Sequence, residues 1–224
     1  MDLREFKRDY YLFDPKEYGK IFVFVDFSNV RHWAKDFWPE ENKEYFKKEI
    51  DIRKIAEVCN WINPERKFFY YGHYKMDYPE AELGVNDPRN LKYRQSIYRI
   101  DKAKKAGFTP RTKDIKEIDD FDYEGKFLGK IRKCNFDIEI AMDILLKINK
   151  YDTVFLWSGD SDFDRLLQYL KSKGKKSITI CARRFASDEL RINSNLFILA
   201  DSLKDYLEYI PLNKNTLPTE SGEV

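Results

Sequence analysis

The sequence predicts an α/β fold, a doubly wound and mostly parallel sheet of about five strands with helices on both faces. The first observation is the alternation of short apolar runs with longer stretches of helical periodicity along the 224 residues. The second is the character of two runs: Ile21-Phe22-Val23-Phe24-Val25 and Thr153-Val154-Phe155-Leu156-Trp157 are continuously apolar, as strands covered on both sides are. The third is where these runs stop. Asp26 follows the first, and Asp160 follows the second after Ser158-Gly159. In open α/β sheets, ligands bind beyond the carboxyl ends of the strands where strand order reverses, so two strands ending in Asp point to one site.

In order, residues 21–25 form the first strand, and Asp51 has the short acceptor side chain that caps a helix, here running to Trp61. The aromatic stretch 67–71 is the second strand. Pro88 opens a helix over 88–106, and Gly107 ends it. Residues 108–112 form the third strand and 136–149 a helix, whose wide stripe of Ile138, Met142 and Leu145, flanked by Ala141, Ile144 and Ile148, is expected to face the core. The fourth strand is 153–157, a helix covers 162–172, the fifth strand is 177–181, and 204–209 is a closing helix. Mixed charge and weak periodicity mark 31–50 and 113–129 as inserted loops or short helices near the site. The domain then spans 20–210, between an N-terminal extension at 1–19 and a polar, mobile tail at 211–224.

Composition limits the function classes. Charged residues make up 36%, yet 15 Tyr and 17 Phe supply enough apolar area for one sizeable core, which excludes a disordered chain. Cys59, Cys134 and Cys181 form no Cys-x-x-Cys pair, which argues against a disulfide framework or zinc ribbon. The start Met1-Asp2-Leu3-Arg4-Glu5 is too charged for a signal peptide and no apolar run can span a bilayer, so the expected location is cytoplasmic, with no membrane partner.

Chemistry concentrates at Ser158-Gly159-Asp160-Ser161-Asp162-Phe163-Asp164, where three carboxylates crowd one strand-to-helix turn. Helix capping accounts for one of them. Like charges so close otherwise call for a cation. Upstream, Asp137 sits in the first turn of the 136–149 helix and can project toward the same strand ends, while Asp143 is rotated away and reads as a salt-bridged acid, with Lys133 as a candidate partner.

The ordered set Asp26-x-x-Asn29, Lys133-x-x-x-Asp137-x-x-x-x-x-Asp143, Ser158-Gly159-Asp160-Ser161-Asp162-Phe163, then Ser187-Asp188-Glu189-Leu190-Arg191 and Phe197-Ile198, resembles the NYN domain, the PIN-like nuclease group that includes LabA-type proteins. The resemblance covers about Lys20 to Ile198. It implies a PIN-like three-layer α/β/α sandwich that cuts RNA, single-stranded RNA being the expected substrate, with Asp26, Asp137, Asp160 and Asp162 as catalytic and metal-binding residues. Asn29, Lys133, Asp143, Ser158 and Ser187 surround them, with Asn29 and Ser158 positioning water or a phosphate oxygen and Lys133 neutralising phosphate or pairing with Asp143. His32 and His73 are the only histidines, so the ligands are oxygens and the ion is hard, magnesium or manganese. Such ions activate an attacking water and stabilise charge on the scissile phosphate.

Two other readings remain open. A PIN-like fold can serve as an RNA-binding or protein-interaction module without catalysis, and a homo-oligomer or protein partner is compatible with the sequence. The turn is also similar to the acidic motif of haloacid-dehalogenase-type phosphatases, but that chemistry needs a second Asp two residues after the nucleophile, and Asp26 is followed by Phe27-Ser28. For substrate grip, Lys92, Arg99 and Lys102 share a helix face expected to meet phosphates, while Tyr93, Ile97 and Ile100 pack inward. Arg183 and Arg184, after the fifth strand, lie nearer the centre. Tyr70, Tyr71 and Tyr74 are candidates for base stacking or for the core.

Overall fold

Six strands form the central sheet of the computed structural model, which describes residues 14–40, 48–75 and 87–210. They are β1 (Ile21–Asp26), β2 (Arg66–His73), β3 (Thr109–Asp114), β4 (Thr153–Trp157), β5 (Lys176–Cys181) and β6 (Leu196–Leu199). All neighbours pair in parallel, in the order β3-β2-β1-β4-β5-β6. The chain therefore builds outward from β1 to β3, then returns to the other side of β1, and strand order reverses between β1 and β4. β6, which periodicity leaves unassigned, completes the sheet at one edge.

Alternation along β1 assigns the two faces. Ile21, Val23 and Val25 pack with Ile55 and Val58 of α1 (Ile52–Asn60) and Ile100 and Ala103 of α2 (Pro88–Lys105). Phe22 and Phe24 point the other way, into Ile140 and Ile144 of α3 (Asp137–Leu146), Leu166, Leu167 and Leu170 of α4 (Asp164–Ser172), and Leu190 of α5 (Asp188–Asn193). Helix starts follow the expected chemistry: Asp51 caps α1 by accepting from the Arg53 N–H at 2.8 Å, and Asp87 with Pro88 opens α2. Gly107, at φ +82°, ends it.

Four expectations change. The 113–129 insertion is an antiparallel hairpin, Lys116–Phe121 with Phe127–Lys133, rather than loops or short helices. Residues 204–209 are helical only over Lys204–Leu207; Glu208–Tyr209 pairs as a strand with Glu49–Ile50. The surface of α2 holding Arg99 and Lys102 is covered by that ribbon. The Arg99 guanidinium donates through Nη2 to Glu49 at 2.8 Å, Lys102 Nζ lies 3.2 Å from Asp51, and the two side chains are only 13% and 11% exposed, so they do not form an outward RNA-facing row. Tyr70 and Tyr71 belong to the core. The other insertion does form short helices, Arg31–Trp33 and Ala34–Phe37, within the described residues. The proposed tail and most of the N-terminal extension lie outside the described residues.

The fourth change is the rotation of α3. Ile138, Met142 and Leu145 face outward, while Ile140 and Ile144 are buried. Apolar residues occupy both arcs of this helix, so periodicity alone does not choose between them; the partners Asp143 finds off the helix, Tyr70 and Arg111, mark the inward arc. Ile140→Ala should therefore lower stability by about 2–5 kcal/mol and Ile138→Ala by no more than about 0.5 kcal/mol. Urea unfolding of the two variants checks this, and equal losses would return the outward stripe to the core.

Candidate metal centre at the strand switch point

Val25 pairs with Trp157, so Asp26 and Ser158 emerge level with each other at the carboxyl ends of β1 and β4. By strand alternation both continue the Phe22, Phe24 face and turn toward the start of α3. Asp26 is 4% exposed and each of its oxygens accepts a hydrogen bond, Oδ1 from the Asn29 N–H at 3.2 Å and Oδ2 from the Ser158 hydroxyl at 3.3 Å. The Asp160 N–H in turn donates to Ser158 Oγ at 3.3 Å. Asn29 joins the two strand ends from the other side: its Oδ1 accepts from Trp33 Nε1–H at 3.0 Å and from the Gly159 N–H at 3.2 Å. No side chain fits at Gly159, where an added Cβ would sit 2.4 Å from Phe185 Cβ.

Above this frame the carboxylates of Asp137, Asp160 and Asp162 converge, each offering an oxygen within 4.8 Å of the others. Asp26 is not a member of that trio; it lies beneath, close enough that Asp137 and Asp160 act on its charge. Burial pushes the Asp26 carboxyl up to about 7, with those neighbours adding to the rise and the Asn29 and Ser158 bonds opposing it. Burial also raises Asp137, with the charges of Asp160, Asp162 and Glu139 acting in the same direction against the Asn135 hydrogen bond. Two like charges at the trio's 4.8 Å limit repel by about 3 kcal/mol at an effective dielectric of about 20, less where Asp162 meets solvent. A helix cap is worth about 1 kcal/mol. Asp160 does cap the next turn, accepting from the Asp162 N–H at 3.0 Å, yet capping does not offset three converging acids. The donor set, all carboxylate oxygens, fits a hard divalent cation.

The other expected residues take separate places. Asp164 accepts from Gln168 at 2.7 Å and from Asn193, which ties α4 to α5 rather than adding a fourth acid to the trio. Asp143 receives the Tyr70 hydroxyl at 2.7 Å, Arg111 Nε at 3.0 Å, and Lys147. It sits in a groove of about 450 Å³ with Lys113, Phe136 and Glu139. The Lys133 side chain lies outside the described residues. Ser187 caps α5 through the Leu190 N–H at 3.1 Å. Asn135 is a contact that spacing did not single out: its Oδ1 accepts from the Asp137 N–H at 2.8 Å and its amide donates to the Asp137 carboxylate. An Asn two residues before an Asp at a helix start is the signal for such an Asx turn.

A parallel sheet with carboxylates gathered at its reversal point, sandwiched between two helical layers, defines a PIN-like α/β/α domain. The NYN domain family model matches residues 20–201, and the chain belongs to the NYN domain family, a PIN-like nuclease family. It is 26% identical over 198 residues to the "Low amplitude and bright protein LabA" of Synechococcus elongatus, covering 85% of this chain and 88% of that protein. The fold is also similar to a crystal structure of a protein of unknown function from Vibrio parahaemolyticus, with a TM-score of 0.54 and 19% identity over 84% of this chain and 96% of that one. Among the described residues, no helix is long and apolar enough to cross a membrane.

The raised Asp26 carboxyl sets a pH dependence. Its folded value of about 7 stands above the usual 3.8, so the stability it contributes is fully present below about pH 4 and is lost as pH rises through about 7. At 1.36 kcal/mol per pKa unit the loss is of order 4 kcal/mol. In chelator, Asp26→Asn should flatten the stability profile between those limits. Denaturant unfolding at stepped pH measures it; parallel profiles for parent and variant would mean that Asp26 titrates normally.

Proposed function

We propose that this chain is a divalent-metal-dependent ribonuclease that hydrolyses phosphodiester bonds of single-stranded RNA. The observation that carries the reading is the convergence of Asp137, Asp160 and Asp162 at the switch point of the sheet. These three would hold magnesium or manganese, which when bound supplies a nucleophilic water and charge stabilisation at the phosphate. Asp26 supports the centre from below. With its value raised to about 7 it is only partly ionised near neutral pH without a cation, and positive charge above it favours the carboxylate, which accepts more strongly from Asn29 and Ser158. Asn135 orients the Asp137 carboxylate, and Asn29 keeps the Gly159-Asp160 turn against the end of β1.

Purified protein should cut single-stranded RNA with magnesium or manganese and be inactive in chelator. Asp160→Asn keeps the cap, because Asn also accepts from the Asp162 N–H, but should lower cleavage by about a hundredfold or more. Cleavage at the parental rate by Asp160→Asn would show that the centre is misassigned. Release of phosphate from a small monoester, with RNA left intact, would indicate a phosphatase.

A second test is independent of turnover. Asp137→Asn removes one of the mutually repelling charges at nearly constant shape, so in chelator it should melt above the parent. Manganese at a hundredfold excess over Kd should then stabilise the parent by about 2.7 kcal/mol, and the variant by less. Thermal melts in both conditions decide between this centre and a salt-bridged acid cluster, which predicts a variant that melts below the parent in chelator.

A further inference from the structure

Beside β4, on the side away from β1, the chain leaving β5 makes a tight turn, Arg183–Phe185, that packs directly on Gly159. The turn is held in place: the Arg183 N–H donates to Asp201 Oδ2 at 2.7 Å, the Phe185 N–H to the Ala182 carbonyl at 2.9 Å, and Phe185 fills the space where a Gly159 side chain would stand. Both arginine side chains remain at the surface. Arg184 pairs through Nη1 with Asp36 at 2.8 Å; the Asp36 side chain is 18% exposed, whereas that of Arg184 is 75% exposed, so most of the guanidinium still faces solvent. Asp36 belongs to the short helix after β1, where exposed His32 and Lys35 and half-buried Arg31 extend the same flank. Burial, then the Arg31 and Lys35 charges, hold the His32 imidazole below its usual value. The acidic turn is thus flanked through Gly159 by the Arg183–Phe185 turn, which Arg184 ties to Asp36.

We infer that Arg183 and Arg184 form a phosphate-binding rim that grips the RNA backbone next to the bond being cut, holding the strand across the end of β4 and over the carboxylates. This rests on reading the acidic site as a ribonuclease centre. Arginine suits the role because its fork of donors can bind a phosphate bidentately, and here only one nitrogen of Arg184 is engaged by Asp36. The rigid turn fixes both residues relative to Asp160, so the rim sets where along the strand the reacting phosphate lies. The basic face of α2, with Arg99 and Lys102 bound to Glu49 and Asp51, does not compete for this role.

The test uses the full chain carrying Asp160→Asn to prevent cleavage, with manganese, and a labelled single-stranded RNA whose binding is followed by anisotropy across a salt series. Arg183→Glu with Arg184→Glu should weaken binding by at least about tenfold and reduce the magnitude of the log-affinity slope by roughly 0.7 per lost contact, about 1.4 in all. The milder pair Arg183→Ala with Arg184→Ala should move both quantities in the same direction, and circular dichroism melts show whether each variant is folded. Lys150→Glu with Lys173→Glu, the same charge change at exposed positions near the opposite end of the sheet, should leave the slope nearly unchanged. RNA binding with an unchanged slope in the folded arginine variants, or an equal drop in the lysine control, overturns the rim and leaves the nuclease reading intact. No RNA binding by either the parent or the Asp160→Asn protein overturns both.

Discussion

A carboxylate buried at the end of a strand is the constraint on which this architecture turns. Asp26 sits where β1 stops, 4% exposed, with its two oxygens committed to the Asn29 N–H and the Ser158 hydroxyl. Those two bonds do more than satisfy a desolvated acid. Ser158 belongs to the exit of β4 and Asn29 to the turn after β1, so satisfying Asp26 aligns the two strand ends between which strand order reverses. The Asp160 N–H on Ser158 and the Gly159 N–H on Asn29 then leave the acidic turn little freedom. The site's geometry is thereby inherited from the backbone ladder rather than from a mobile loop, which is how a scaffold places carboxylates against their mutual repulsion.

The same requirement explains why α3 breaks the usual amphipathic rule. Its inward face carries Asp137 toward the strand ends and Asp143 toward Tyr70, with Ile140 and Ile144 between them, while Ile138 at 72% exposure and Met142 look outward. Burial of Tyr70 gives Asp143 a hydroxyl partner, and Arg111 and Lys147 neutralise it, so this acid is compensated where Asp137 is not. Two acids six residues, about one and two-thirds turns, apart on one helix thus differ in kind. One is a salt-bridged support, and the other is a carboxylate whose burial, and then whose acidic neighbours, raise its proton affinity.

What the sequence reveals, and what it hides, follows from the range of each interaction. Strand ends are legible because a carboxylate that interrupts a continuous apolar run is a local event, visible at Asp26 and Asp160. The rotation of α3 is not, since Ile138, Met142 and Leu145 make as good a stripe as Ile140 and Ile144, and only distant groups choose between them. The face of α2 is a similar case: helical projection groups Arg99 with Lys102, but the acid that covers Arg99 lies 50 residues earlier in the chain. The hairpin at 116–133 escapes because its strands mix charges with Ile118, Phe121, Phe127 and Ile131, an exposed pattern that carries no core signal. Ser187, grouped with the site by its motif, spends its hydroxyl on a helix cap.

Asp160 shows why capping and metal binding are poor alternatives to set against each other. A capping carboxylate uses one oxygen to hold the N–H two residues on, which leaves the other free to face a cation and fixes the side chain in the rotamer that points it there. The cap thus serves as a positioning device, in the way that a hydrogen-bonded partner orients a ligand in metal sites. Asn135 acts likewise on Asp137, meeting both its N–H and its carboxylate. Local turn chemistry of the kind that any helix start displays has been repeated at two helix starts facing one switch point. The convergence of those two turns, rather than either acid alone, distinguishes a site from a pair of ordinary helix beginnings.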